Sequence, residues 1–306
     1  MSLLFHQSLV VAVLGSGSSG NCTYIGDDRH GVLIDCGLST KQILARMATL
    51  GLQDAPISAV LITHEHSDHV GAIGVLDRKL SPTRETPLPF YMTGGTRESL
   101  DRRLIPTRMH SVTPGLSFEV GSLRIEPVSV PHDTLEPVAY VVSAGPTRAA
   151  VITDLGRPTR AVEQALSSVD LAVVEFNHDV DMLLDGSYPW QLKQRIKSHH
   201  GHLSNEQACE LVANGASGRL RHLWLGHLSD ENNCPDLALE AAHTAIRRAG
   251  LRQVSIAVAS QTTPSQQRVS AEPEIPKVVR AKKEPPPLPP GQMPLFGGPL
   301  DESSTA

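Results

Sequence analysis

Short unbroken apolar runs dominate the first third of the chain. Residues 9–14, 22–25 and 32–34 are rich in Val, Ile, Leu and Tyr, and Asp27, Asp28 and Gly31 supply turn chemistry between the last two. Runs of this length bounded by turn formers read as strands, the last pair as a hairpin. Over residues 41–50 the period changes. Ile43, Leu44, Met47 and Leu50 share one face at helical spacing and predict an amphipathic helix. A second strand-rich block covers residues 116–153. Beyond it, helical patterns at 160–166, 190–197, 205–213 and 236–248 alternate with strands near 171–176, 220–225 and 254–259. Periodicity alone predicts a mixed α and β chain with both element types in each half.

Composition then sets boundaries on this pattern. From Thr262 onward prolines crowd, aromatic content falls to one Phe, and acidic and basic residues balance. Such a segment cannot bury enough apolar surface to fold, so the expected organisation is a folded domain over residues 1–261 and a disordered Pro-rich tail over 262–306. Within the tail, Pro285-Pro286-Pro287-Leu288-Pro289-Pro290 reads as a stiff spacer. Cys22, Cys36, Cys209 and Cys234 form no C-x-x-C pair and read as reduced core thiols. No apolar run approaches the length of a membrane span and the N-terminus lacks a basic leader region, which predicts a cytoplasmic protein without membrane contact. The net charge of −5 argues against a broad basic groove for nonspecific duplex binding.

Candidate chemistry is concentrated in His64-Glu65-His66-Ser67-Asp68-His69, directly after the apolar run 57–63. Two imidazoles two residues apart can converge on one cation, and the Asp-His pair that follows in a turn can serve a second beside it. This H-x-H-x-D-H spacing predicts a dinuclear hydrolase. A two-metal site needs donors from elsewhere, and further strand ends offer them. His132 follows the alternating stretch 123–131, Asp154 closes 149–153 ahead of a Leu-Gly turn, and His227 ends 220–226.

With these residues in view the chain resembles the metallo-β-lactamase superfamily. The resemblance implies an αββα four-layer sandwich in which His64, His66 and His132 hold one divalent ion and Asp68, His69 and His227 the other. Asp154 would bridge the two, and Asp35, in Leu33-Ile34-Asp35-Cys36-Gly37, would orient the histidine loop from behind. The implied chemistry is attack by a metal-bridging hydroxide, with Zn²⁺ and Mn²⁺ both suited to the donors and Asp68 and Asp154 central to catalysis. More narrowly, Gly15-Ser16-Gly17-Ser18-Ser19-Gly20-Asn21, Val130-Pro131-His132-Asp133, Glu175-Phe176-Asn177-His178-Asp179, Gly201-His202-Leu203-Ser204-Asn205 and His227-Leu228-Ser229-Asp230-Glu231-Asn232-Asn233 are together similar to the YycJ/WalJ family. That resemblance spans about residues 8–260 and implies a DNA-processing exonuclease. A thioester or lactone hydrolase of the same fold, glyoxalase-II-like, is the competing enzyme class. A metal-stabilised adaptor recruited through its tail is the non-enzymatic one.

Gly15-x-Gly17-x-x-Gly20 fits the dinucleotide fingerprint, but residues 21–25 read as a strand where that fingerprint requires a helix. It is expected instead to form a tight loop near the metal site, its amides available to a substrate phosphate. For substrate contacts, Lys193, Arg195 and Lys197 offer cations on the helix 190–197. His202 precedes a Ser204/Gln207 capping box that would fix it at a helix N-terminus, as a substrate contact or proton donor. His178, just after Val173-Val174-Glu175-Phe176, is a weaker candidate for the same role. In the tail, Gln292-Met293-Pro294-Leu295-Phe296 resembles the short Gln-x-x-Leu-Phe peptides that dock bacterial DNA-processing proteins on the sliding clamp. That resemblance implies Gln292, Met293, Leu295 and Phe296 as the anchors.

Overall fold

The structure, a computed structural model, describes residues 8–270 apart from 82 and 84. In chain order the first half is β1 (Ser8–Gly15), β2 (Cys22–Gly26), β3 (Gly31–Ile34), α1 (Thr40–Thr49), β4 (Ala59–Leu61), α2 (Ser67–Val70), α3 (Ile73–Leu80), β5 (Pro89–Thr93), α4 (Gly94–Ser99) and β6 (Arg108–Val112). The second half is β7 (Phe118–Val120), β8 (Leu123–Ser129), β9 (Val138–Ala144), β10 (Thr147–Ile152), α5 (Arg160–Ser167), β11 (Leu171–Glu175), α6 (Val180–Asp185), α7 (Trp190–Ile196), α8 (Asn205–Gly215), β12 (His222–Gly226), α9 (Pro235–Arg248), β13 (Ser255–Val258) and β14 (Ser265–Ser270).

Among the described residues these strands form two sheets of seven, ordered β14-β1-β2-β3-β4-β5-β6 and β13-β12-β11-β10-β9-β8-β7. Each sheet has an antiparallel part built from hairpins and a parallel part built from crossover helices, as in the parallel pairing of β3 with β4 and of β10 with β11. The unbroken apolar runs follow from burial on both faces. In β1, Leu9, Val11 and Val13 pack between the sheets, while Ala12 and Leu14 face outward against Ile43 and Met47 of α1. On the second sheet, Val173 and Trp224 point inward and Val174 and Leu225 point out to α5, α8 and α9. The layer order is therefore helix, sheet, sheet, helix, the four-layer sandwich expected.

Local chemistry places the helices. Ser39 and Gln42 form a capping box that starts α1, and Ser204 and Gln207 form the one read from the sequence at α8. Pro235 stands in the first turn of α9, where its missing N–H costs nothing.

The domain boundary needs correction. Residues 265–270, assigned above to the tail, form β14 and pair antiparallel with β1, from Ser8 opposite Ser270 to Val13 opposite Ser265. Ser265-Gln266-Gln267-Arg268-Val269-Ser270 is mostly exposed and polar because it is an edge strand; its backbone closes the sheet and Val269 reaches the inter-sheet core. The remaining Pro-rich segment and the motif at 292–296 lie outside the described residues.

Candidate metal centre

Both sheets present their candidate donors at strand ends, and three of these turns are strained. Asp35 after β3, Asp154 after β10 and His227 after β12 have φ of 60°, 60° and 54°. Non-glycine residues in the left-handed region are uncommon and cluster where the surrounding structure imposes a functional geometry. The H-x-H-x-D-H segment leaves β4, and α2 forms directly over it, so that Asp68 and His69 fall on its first turn.

The donors converge in two groups. His64 Nε2 lies 3.1 Å from His66 Nδ1, and His132 Nε2 lies 3.3 Å from the same atom. In the second group His69 Nε2 is 3.3 Å from Asp68 Oδ2, and His227 Nε2 is 3.5 Å from it. Asp154 stands between them, with Oδ2 3.3 Å from His69 Nε2 and Oδ1 3.9 Å from His132 Nε2. Donors on a tetrahedron with bonds of 2.0–2.1 Å would be about 3.3–3.4 Å apart, and the separations of 3.1–3.5 Å within each group are close to that spacing.

The opposite ring nitrogens fix which atom faces inward. His69 Nδ1–H donates to Asp35 Oδ2 at 2.8 Å, His132 Nδ1–H to the Gly201 carbonyl at 3.0 Å, and His227 Nδ1–H to Glu175 Oε1 at 3.1 Å. His64 Nδ1 rests on Thr63 Oγ1 at 3.0 Å, and that hydroxyl donates in turn to Asp35. Each Nε2 is left with a lone pair directed at the centre. Asp154 Oδ2 and His227 Nε2 are sealed from solvent without a hydrogen-bond partner. Buried polar atoms left so are costly, and a cation between them removes the cost, so the donor set fits divalent ions.

Electrostatics point the same way. Burial, reinforced by the neighbouring imidazoles His69, His132 and His66, holds His64 well below the ordinary histidine pKa and so neutral. Burial also lowers His132. At His69 burial is outweighed by Asp154 and Asp35, which hold that ring well above its ordinary value. At His227 Asp154, Asp68 and Glu175 likewise overcome burial and push the pKa up to about 10. These carboxylates gather positive charge at the second group, and a bound cation supplies it in place of the protons.

Around the donors lies a cleft of about 310 Å³ lined by His66, Asp68, Asp154, His202 and His227 on its metal side and by Tyr188, Leu192, Arg195 and Ile196 from the α7 segment. Arg195 Nε donates to Asp133, whose other oxygen is 3.4 Å from His132 Nε2. The remaining expected substrate contacts are placed otherwise. Lys193 is turned inward, its ammonium donating to the carbonyls of Leu184 at 2.6 Å and Gly186 at 2.7 Å, so it holds the end of α6 rather than a phosphate. Lys197 is exposed but outside the cleft lining. His178 is buried behind the cleft, its backbone bridged to Ser204 and its pKa lowered to about 4 by burial. It does not line the cleft.

The glycine loop runs into β2 without a helix, beside the metal donors as expected. Most of its amides are already committed: those of Ser16, Gly17, Ser19, Gly20 and Asn21 donate within the protein, which leaves only that of Ser18, a residue of the cleft lining, for a phosphate. The loop's contribution is through side chains. Ser16 Oγ accepts the N–H of His227 at 2.8 Å, and the Asn21 amide donates to Asp68 Oδ2 at 3.1 Å. Glu175 is the important residue that sequence reasoning left without a role. Wholly buried at the end of β11, it accepts from His202 Nδ1 at 2.7 Å and from His227 Nδ1, and takes the amides of Leu155 and Leu203 on its other oxygen. The available signals were an acidic residue closing an apolar run and its place in the motif Glu175-Phe176-Asn177-His178-Asp179.

Two helix-faced sheets with imidazole and carboxylate donors gathered at their strand ends define a metal-dependent hydrolase of the metallo-β-lactamase fold. Residues 30–223 match the family described as Beta-lactamase superfamily domain. The chain is 37% identical over 237 residues to Exodeoxyribonuclease YycJ of Bacillus anthracis, covering 76% of this chain and 87% of that protein. It is 35% identical over 232 residues to Exodeoxyribonuclease WalJ of Streptococcus pneumoniae, covering 74% and 84%. The chain therefore belongs to the metallo-β-lactamase superfamily and, within it, to the YycJ/WalJ family. Among solved structures, YhfI from Bacillus subtilis superposes with a TM-score of 0.62 at 16% identity, over 84% of this chain and 99% of that one. Zn(2+)-bound PqqB from Methylobacterium extorquens gives 0.61 at 18%, over 84% and 99%. At such identities the likeness is one of fold. No helix among the described residues is long and apolar enough to cross a membrane.

Proposed function

We propose that this chain is a DNA exonuclease that hydrolyses phosphodiester bonds with two divalent ions, Zn²⁺ or Mn²⁺. His64, His66 and His132 would hold one, Asp68, His69 and His227 the other, with Asp154 between. The observation that carries the two-ion reading is the position of Asp154, with Oδ2 3.3 Å from His69 Nε2 in one donor group and Oδ1 3.9 Å from His132 Nε2 in the other. The nucleic-acid substrate rests on the relatives named exodeoxyribonuclease, which match about three-quarters of the chain. When bound, the ions make a captured water nucleophilic near neutral pH and offset charge developing on the phosphoryl oxygens.

The protein's own groups do the rest. Asp35 and Thr63 lock the rings of His69 and His64. Arg195, at the cleft wall, is a cation within reach of a phosphate oxygen. His202 is held by Glu175 through Nδ1, which leaves its Nε2 edge for the cleft. There it donates a proton to the leaving oxygen as the P–O bond breaks, the role for a positioned imidazole.

The test is the purified apo-protein reloaded separately with Zn²⁺ and Mn²⁺ and given end-labelled DNA or S-lactoylglutathione. Digestion of DNA alone is expected, abolished by Asp154→Ala together with bound metal while the fold is retained. Rapid thioester cleavage with DNA untouched would replace the nuclease by a thioesterase. No activity with either ion would leave the adaptor role.

A further inference from the structure

The cleft has two chemical characters, and phosphodiester chemistry accounts for one of them. Metal donors, carboxylates and His202 serve the phosphate. Tyr188, Leu192 and Ile196 do not, yet they line the same space. Tyr188 is half-buried there and is the one aromatic ring other than imidazole in the lining.

This apolar wall is fixed to the metal centre rather than loosely hung beside it. Lys193 ties α7 back to the end of α6 through two carbonyls. His202 N–H donates to the Ile196 carbonyl at 2.9 Å, and the Gly201 carbonyl receives His132 Nδ1–H. At Gly156 a Cβ would come within 2.3 Å of the His199 backbone, so the segment after α7 is pressed onto the turn that carries Asp154. A wall held this closely has a set distance from the scissile phosphate. At about 310 Å³ the cleft is at the small end of ligand sites, on the scale of a single nucleotide.

We propose that Tyr188, backed by Leu192 and Ile196, is the stacking wall for the base of the nucleotide at the scissile phosphate, which enters the cleft unpaired. This rests on the nuclease reading and specifies its substrate: a frayed or single-stranded end, held by stacking without regard to base identity. Each base has a π-face, and aromatic stacking on it is worth roughly a 5- to 150-fold change in binding.

The experiment pairs enzyme and substrate changes on the metal-loaded full chain. Tyr188→Ala and Tyr188→Phe are compared on a single-stranded oligonucleotide with a normal or an abasic terminal nucleotide. Both kcat/KM and the Kd for the same oligonucleotide with terminal phosphorothioate linkages are read. Tyr188→Ala is expected to lose roughly 5- to 150-fold on the normal end, mostly in KM and Kd, and Tyr188→Phe to restore it. The unaltered protein should lose a similar factor on the abasic end, to which Tyr188→Ala should be indifferent. Losses that multiply instead, or an Ala variant equal to the original, would overturn the stacking wall while leaving the nuclease intact. Failure of the unaltered protein to digest either end would overturn the nuclease reading and the wall with it.

Discussion

Gly37 lies against the backbone of Asp68 so closely that a Cβ on it would stand 1.6 Å from the Asp68 carbonyl oxygen. The same contact is stitched on both sides: Asn21 N–H donates to that carbonyl at 2.8 Å, and Gly37 N–H donates to the Asn21 carbonyl at 2.9 Å. Cys36 N–H holds the carbonyl of His69 at 2.8 Å. The turn after β3 is thus the bed on which the metal-donor turn rests, and only a residue without a side chain permits it.

Gly37→Ala is therefore expected to damage the site without touching a donor. The obstacle is backbone, which cannot rotate aside, so Asp68 and His69 must shift. Overpacking of this kind costs about 1–3 kcal/mol. Metal content by mass spectrometry should fall while the circular dichroism spectrum of the folded protein persists; a variant that binds the full metal complement would show the bed to be dispensable.

Glu175→Gln should separate two duties of one buried carboxylate. Its Oε1 accepts from both His202 and His227, and an amide of the same shape cannot accept on both of its termini. Losing a partner that orients a metal donor typically costs 10- to 100-fold in metal affinity or activity. Metal content reports on His227. The kcat of the variant at saturating metal, and its pH profile, report on His202. Unchanged values of both would remove Glu175 from the site.

The legibility of this site in the sequence tracks how local each interaction is. His64, His66, Asp68 and His69 occupy six residues, so their convergence was written in the spacing, and Asp154 and His227 were visible as polar ends of apolar runs. Glu175 has the same sequence signature. Its role appears only when parallel pairing sets β11 between β10 and β12 and so places it beside His202 and His227. Lys193 failed for a related reason. A basic helix reads as a charged face, and the carbonyls that turn this ammonium inward come from the end of α6, which the pattern did not reveal. β14 was missed because an edge strand needs one inward apolar residue, here Val269, and its polar remainder resembles a tail.

A sliding clamp is the partner we propose for the tail motif Gln292-Met293-Pro294-Leu295-Phe296, which lies outside the described residues. A protein of net charge −5 gains little electrostatic affinity for an anionic polymer, and tethering to a ring on DNA substitutes effective concentration for it. The full chain should bind a purified bacterial clamp, and Leu295→Ala/Phe296→Ala should weaken binding by at least about 30-fold, since truncated hot-spot anchors cost about 2 kcal/mol or more. Equal binding by both chains, or by neither, would exclude the clamp without bearing on the metal site.

His222 should make the fold acid-sensitive from the end of the sheet away from the metal. It is buried at the start of β12 with its ring 4.1 Å from that of Trp224, and neither ring nitrogen has a hydrogen-bond partner. Burial lowers its pKa from the ordinary 6.5 to about 4. Because the folded-state value is the lower one, the unfolded chain takes up the proton first as the pH falls. Stability is therefore whole above about pH 6.5, declines through the interval down to about 4, and is lower by roughly 3 kcal/mol once both states are protonated. His222→Leu removes the titrating group and replaces an unsatisfied polar ring by an apolar side chain, a change that is neutral or stabilising when no partner is left behind. Its urea midpoint should match that of the unaltered protein at pH 8 or exceed it, and the gap between them should widen at pH 5. Other buried histidines titrate in the same window in both proteins and cancel in the difference. A gap that stays constant between pH 8 and pH 5 would mean that His222 finds a proton partner in the folded state.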